Sequence, residues 1–227
     1  MLTVELLQYP EDPERAVATA ARLCYAPVGA KELMETMPPE KVRGVLKTIM
    51  ASGHFSTLEH VTYTFAIDGV SRSLTHQLVR HRLASFNQQS QRYVRFDEAP
   101  SVVVPDSVDA SPELRALFDK AIDTSYEVYA ELAKAGVPAE DARYVLPNAC
   151  ESKIVVTMNI RELLHFFELR CCRRAQWEIR DLATRMLDLV MPTAPFIFMD
   201  AGAPCRRGKC TEGTMSCGQP YERVVRP

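Results

Sequence analysis

Apolar residues recur along this chain with two different periods, and the switches between them divide it into elements. From Thr3 to Tyr9 apolar and polar positions alternate as in a short strand, which ends at Pro10. Asp12 then precedes Pro13 and Glu14, the order of cap, proline and acid that opens a helix at about residue 13. Val42, Val45, Leu46 and Ile49 fall at helical spacing and predict a helix over Pro39–Ser52, closed by Gly53. Strict alternation returns with Val61, Tyr63, Phe65 and Ile67, threonines between them, as a half-buried strand over 60–68 that Glu59 and His60 open. Ser71 suits the cap of a helix with Leu74 and Leu78 on one face. On that helix Gln77, Arg80 and His81 stand at i, i+3 and i+4, so that their side chains project together.

The second half reads the same way. Leu114, Leu117, Phe118, Ile122, Tyr126 and Tyr129 recur at threes and fours and predict a long amphipathic helix over 111–135, stopped by Gly136. A short helix fits Pro138–Leu146, and Lys153–Met158 is strand-like. Asn159 with Glu162 forms a cap and its N3 acid for a helix through about Cys172, and a further helix fits Gln176–Val190. No internal repeat or linker interrupts this order. The expectation is one α+β domain over residues 1–200, followed by a Gly-, Pro- and Cys-rich tail over 201–227.

Composition narrows the partners. Of the 227 residues, 47% are hydrophobic and 25% charged, ordinary for a globular chain, and the net charge of −2 gives no general attraction to a polyanion. A phosphate site must therefore be a local concentration of arginine. No apolar run reaches the roughly eighteen residues of a membrane span, and "MLTVELLQYPEDPERA" lacks the layout of a secretory signal, so the cytoplasm is the expected compartment. Seven cysteines, an odd number, read as reduced thiols or metal ligands before a disulfide framework. Cys205, Cys210 and Cys217 follow the pair Cys171 and Cys172 without the close C-x-x-C knuckle that zinc favours. Free thiols, a zinc element and a disulfide all stay open for that tail.

The densest chemistry lies in "RHRLASFNQQSQRY", residues 80 to 93, where four arginines or histidines and four amides share fourteen positions. Arginine offers a planar fork of donors to phosphate or carboxylate, and the neutral amides and serines can hold a polar heterocycle beside it. The plain alternative is a solvated basic turn. A nucleic-acid module with a zinc tail is a rival, opposed by the net charge and by the lack of interleaved aromatics. A non-catalytic oligomer that keeps a nucleotide-binding loop is another.

The same stretch matches R-H-R-x-x-S-x-N-x-x-S-x-R-Y at every fixed position and in this resembles the flavin-dependent thymidylate synthases. The resemblance extends through "GHFSTLEH", "DARYVLP" at 141 to 147, "MNIRELLHFFELR" at 158 to 170 and "AQWEIR" at 175 to 180. It implies an α/β domain with a mixed or antiparallel sheet flanked by helices, assembled as a homotetramer with shared active sites. It further implies reductive methylation of deoxyuridylate (dUMP) to dTMP, with methylenetetrahydrofolate giving the carbon and NADPH the electrons through FAD, and no metal. By position, Arg80, His81, Arg82, Asn159, Arg161 and His165 match flavin contacts, and His54 a histidine beside the flavin ring and folate. Gln77, Gln89, Ser90, Gln91, Arg92 and Arg143 match the substrate side, while Arg80 and Gln88 match both. Arg170 matches an arginine against the uracil, where it favours negative charge on the base. Arg170, His54 and Ser90 thus stand nearest the chemistry, yet Ser90 has no evident base beside it in sequence and is assigned to binding rather than attack. Two positions depart from the family pattern: Gln88 stands where glutamate is frequent, removing a negative charge, and His165 where asparagine is frequent.

Overall fold

The computed structural model describes residues 1–222. A four-stranded antiparallel sheet runs in the order β1-β2-β4-β3, from β1 (Thr3–Gln8), β2 (Thr62–Ser71), β3 (Ala84–Gln88) and β4 (Glu151–Asn159), with helices flanking it. The α+β expectation therefore holds. The chain forms two compact units: one of Met1–Thr3, Ile67–Arg80 and Phe86–Val155, the other of Val4–Ala66, His81–Ser85 and the described chain from Val156 onward. The described residues beyond 200 belong to the second unit. Among the described residues no helix is long and apolar enough to cross a membrane.

In the second unit α1 (Pro13–Leu23), α2 (Ala30–Thr36) and α3 (Pro39–Ser52) pack together, and Asp12 Oδ1 caps α1 by accepting from the Arg15 amide at 2.9 Å. Gly53 closes α3 at φ 72°, the left-handed conformation that glycine adopts at least cost. A 3-10 turn over Phe55–His60 follows, so Glu59 and His60 end that turn and do not open the strand, which begins at Thr62. Later come α8 (Ile160–Arg170), α9 (Trp177–Val190) and α10 (Pro195–Phe198). Leu46, Leu58, Phe166, Phe167, Leu182 and Phe198 form the core. Tyr63 is buried against Phe198, edge to face at 5.8 Å, and shares a 2.8 Å hydrogen bond with Thr193; burial pushes its phenol up to about 12.

In the first unit Ser71 Oγ accepts from the Leu74 amide at 3.0 Å and starts α4 (Arg72–Leu78) as expected. The helix stops at Leu78, however, so Arg80 and His81 lie past its end and helical spacing does not carry them to Gln77: Arg80 is exposed while His81 is buried. The rest of this unit comprises α5 (Asp106–Asp109), α6 (Pro112–Lys134), α7 (Ala139–Ala142) and a 3-10 turn over Arg143–Val145. Ile122 and Tyr129 anchor α6 in the core with Leu74, Leu78 and Ile154. Leu114 and Leu117, read as part of the same apolar face, are instead 49% and 67% exposed. Gly69 adopts φ 71°, and a Cβ there would sit 2.5 Å from the Met1 carbonyl oxygen, so only glycine fits.

Candidate active site

The most constrained polar group in the second unit centres on His81. Asn159 Oδ1 accepts from the Glu162 amide at 2.9 Å and so starts α8, as its cap pattern predicts. The Glu162 carboxylate, though, reaches His81 Nδ1 at 3.1 Å, with both side chains almost wholly buried. On the other side of the ring Arg170 Nε donates to His81 Nε2 at 3.0 Å. Phe166 meets the imidazole edge to face at 4.9 Å, and His165 lies at 6.0 Å. A guanidinium can only donate, so Nε2 must carry its lone pair, and the single ring proton sits on Nδ1 facing Glu162. Burial, followed by the Arg170 charge, holds His81 below the usual histidine range against the opposing pull of the Glu162 hydrogen bond. Both ring nitrogens are thus occupied within the protein, and His81 has no free side-chain donor to offer a flavin phosphate.

Other predicted residues of this unit are open. Arg82 and His165 are exposed, and Arg161 forms a half-exposed ion pair with Glu59 at 2.5 Å. His54 lies just past Gly53 and lines a cavity of ≈ 710 Å³ with Tyr25, Val45, Thr48 and Ile49. That volume and mixed lining are those of small-molecule sites in general.

The first unit gathers the substrate-side residues differently. Ser90 Oγ accepts from the Arg92 amide at 3.1 Å, a local turn that leaves Ser90 no histidine or carboxylate partner among the described residues. Arg92 binds Glu140 through Nε at 2.9 Å and Nη2 at 2.8 Å, both groups half exposed. Gln88 Nε2 donates to Thr75 Oγ1 at 3.2 Å and Ser152 Oγ at 2.9 Å, so its carbonyl oxygen is the part that remains for a ligand. Gln89 and Gln91, paired in the sequence reading, part company: Gln89 lines a cavity of ≈ 280 Å³ with Gly69 and Arg95, whereas Gln91 lines one of ≈ 400 Å³ with Arg72, His76 and Arg143. Among the described residues no carboxylate lines the latter. Burial and repulsion from Arg143 both lower Arg72, the expected response of two cations sharing a small space. Gln77 is half-buried on α4.

Sequence reading missed Arg72, Glu140 and the pairing of Glu162. Arg72 did leave a signal, since a cation in the first turn of a helix opposes the helix dipole and so wants another reason to be there. Glu162 looked like an N3 acid completing a cap, and nothing local distinguishes that from a partner for His81 far along the chain.

The tail is packed against its own unit. Arg173 lies over the Tyr221 ring at 4.6 Å, Arg174 pairs with Glu212, and Arg207 reaches Glu168 at 3.1 Å. All seven cysteines are free thiols, and Cys172, Cys205, Cys210 and Cys217 line one cavity of ≈ 300 Å³. Among the described residues no group of three or more His, Cys, Asp or Glu side chains is arranged to hold a metal ion. Burial pushes the Cys171 thiol up to about 12, making it inert.

These features define a class: an α+β protein that aims arginines at one carboxylate-free cavity and holds a further arginine through a buried histidine. The family model described as "Thymidylate synthase complementing protein" matches residues 5–196. A flavin-dependent thymidylate synthase of Geobacter sulfurreducens is 56% identical over 223 residues, covering 97% of this chain and 96% of that protein. One from Clostridium tetani is 48% identical over 235 residues, covering 96% and 94%. Among solved structures, a UMP/dUMP methylase, PolB from Streptomyces cacaoi, bound with 5-Br dUMP, superposes with a TM-score of 0.74 at 27% identity, covering 88% of this chain and 93% of that one. The chain belongs to the flavin-dependent thymidylate synthase family.

Proposed function

We propose that this chain methylates dUMP reductively to dTMP, with methylenetetrahydrofolate as carbon donor, NADPH as reductant and FAD as cofactor, without a nucleophile from the protein. The observation that carries the reading is the cavity of the first unit, where Arg72 and Arg143 converge with His76 and Gln91 and no carboxylate intervenes. In a chain of net charge −2, two crowded arginines are stabilised by an anion, and a nucleotide phosphate accepts their forked donors. The family, and the UMP/dUMP methylase bound with 5-Br dUMP, support a deoxyuridylate phosphate as that anion. Arg143 and Arg72 hold the phosphate, with Gln77, Arg80, Gln88, Gln89, Ser90, Gln91 and Arg92 around the sugar and base.

The residues of the second unit fit a flavin: a cavity with apolar walls at Val45 and Ile49 and polar groups at Thr48 and His54, and the cationic side chains Arg82 and Arg161. His54, Arg80, Arg82, Asn159, Arg161 and His165 would hold it, His81 serving from behind. Flavin, when bound, supplies the hydride chemistry that no side chain here can. Arg170, its Nε occupied by His81, turns its two terminal amino groups to the uracil and favours negative charge there as the base reacts. Ser90 binds, because the donor it faces is its own turn's amide and no base adjoins it among the described residues. Residues 1–200 form the catalytic domain and 201–227 its tail, and the enzyme works in the cytoplasm with its thiols reduced. It assembles as a homotetramer, a reading supported by the exposed Leu114 and Leu117 of α6. Sites shared among subunits mean that no single chain need supply every contact.

Purified protein tests this directly. It should be yellow or turn yellow with FAD, bleach with NADPH in the absence of oxygen, and form dTMP when dUMP and methylenetetrahydrofolate are added. Protein that stays colourless and free of flavin in excess FAD rejects the reading.

A further inference from the structure

We infer that Glu162 is a positioning residue: through the His81 ring it sets the orientation in which Arg170 meets the substrate, a role that rests on the function proposed above. The geometry makes the chain of control explicit. Glu162 is 4% exposed and anchored at the start of α8, where Asn159 fixes its backbone. Its carboxylate accepts the Nδ1 proton of His81, and that leaves a lone pair on Nε2. Only this tautomer can accept from Arg170 Nε. The opposite tautomer would set two N–H donors against each other across the same 3.0 Å gap. Phe166, edge to face with the ring, restrains its tilt. With Nε tied down, the guanidinium plane of Arg170 is fixed and its two terminal amino groups face one direction. Neither His81 nor Glu162 needs to touch a ligand for this to matter, because a partner that orients a contacting group controls it much as the outer ligands of a metal site do.

A second consequence concerns pH. The groups facing His81 are Glu162, His165 and Arg170, all from α8. Protonating Nε2 abolishes the acceptor and breaks the Arg170 contact, so turnover acquires an acid limb set by His81. Glu162 holds that limb up against burial and the Arg170 charge. Its removal moves the limb to lower pH.

Three variants and one spectrum test the inference. Nitrogen-labelled histidine distinguishes ring tautomers among the five histidines, with His81→Asn used only to assign the signal. Wild type and Glu162→Gln, whose amide oxygen can still accept, should show the neutral Nδ1–H form, and Glu162→Ala a mixture. Glu162→Ala should lower kcat for dTMP formation about 10-fold to 100-fold, the scale of a misplaced reacting group, with a smaller change in KM for dUMP. Glu162→Gln should recover most of that kcat while its acid limb shifts to lower pH. An Nε2–H tautomer in the wild type, or folded Glu162→Ala with wild-type kcat and pH profile, overturns the inference. If Glu162→Ala does not fold, an unshifted acid limb in Glu162→Gln overturns it instead. A wild-type chain that makes no dTMP overturns the proposed function, while the tautomer still reads the Glu162–His81 contact, so the two failures are told apart.

Discussion

The two units treat arginine in opposite ways. In the second, Arg170 is half-buried and tied through His81 to a buried carboxylate, each nitrogen of the ring assigned a partner. In the first, Arg92 leans on Glu140 in solvent, and Arg72 and Arg143 crowd one cavity with no acid between them. Buried polar groups left unpaired are costly, so the arrangement around His81 must be fully satisfied before any ligand arrives. The arginines of the first unit are half-buried or exposed, and water can stand in for a partner there until a ligand arrives. One arrangement sets geometry and the other leaves charge available.

That contrast can be broken experimentally, most severely at its buried end. Glu162→Ala leaves the Nδ1–H of His81 unpaired in the interior and should destabilise the fold by up to about 3 kcal/mol, the upper end of the cost of a buried donor left without a partner. Thermal unfolding should report this as a Tm lower by up to about 6–12 °C for a chain of this size. If Arg143 holds the substrate phosphate as proposed, Arg143→Ala should raise KM for dUMP about 10-fold to 30-fold, with kcat changed less and Tm held. A larger loss in kcat than in KM would show that the cavity serves another purpose. Ser90→Ala should lower turnover about 10-fold without abolishing it, because a nucleophile's removal would leave essentially none.

Smaller effects sharpen the comparison. His81 binds its proton more weakly folded than unfolded, so the unfolded state takes up more protons as pH falls through the ordinary histidine range near 6.5. Stability from this group is therefore complete above that range and is lost progressively on acidification toward the depressed folded value. Comparing Tm from pH 7.5 to pH 5.5 should show a slope that His81→Asn flattens. Glu140→Ala, at the exposed end of the comparison, should leave Tm unchanged within error, since Arg92 and Glu140 are half exposed and their pair is screened by solvent. A clear drop there would mean that the exposed pair is structural after all.

What the sequence determined by itself was local. The cap of Asp12, the span of α3 over Pro39–Ser52, the start of α4 at Ser71 and the Asn159 cap of α8 all rest on residues within one or two turns of each other. The arginine-rich motif was legible for the same reason, as a dense run whose pattern matches a family. Helices α2, α5 and α10 left no trace, because seven, four and four residues are too few to display a period. Only the tertiary structure decided which side of that motif is buried. Ending α4 at Leu78 turns His81 inward to a carboxylate on α8 and leaves Arg80 in solvent, whatever helical spacing suggested. It also brought Arg72 beside Arg143 and exposed Leu114 and Leu117 on a face that periodicity marked as core. Spacing encodes which neighbours share a turn; which distant groups meet depends on where the chain returns, and on the penalty for burying a charge without a partner.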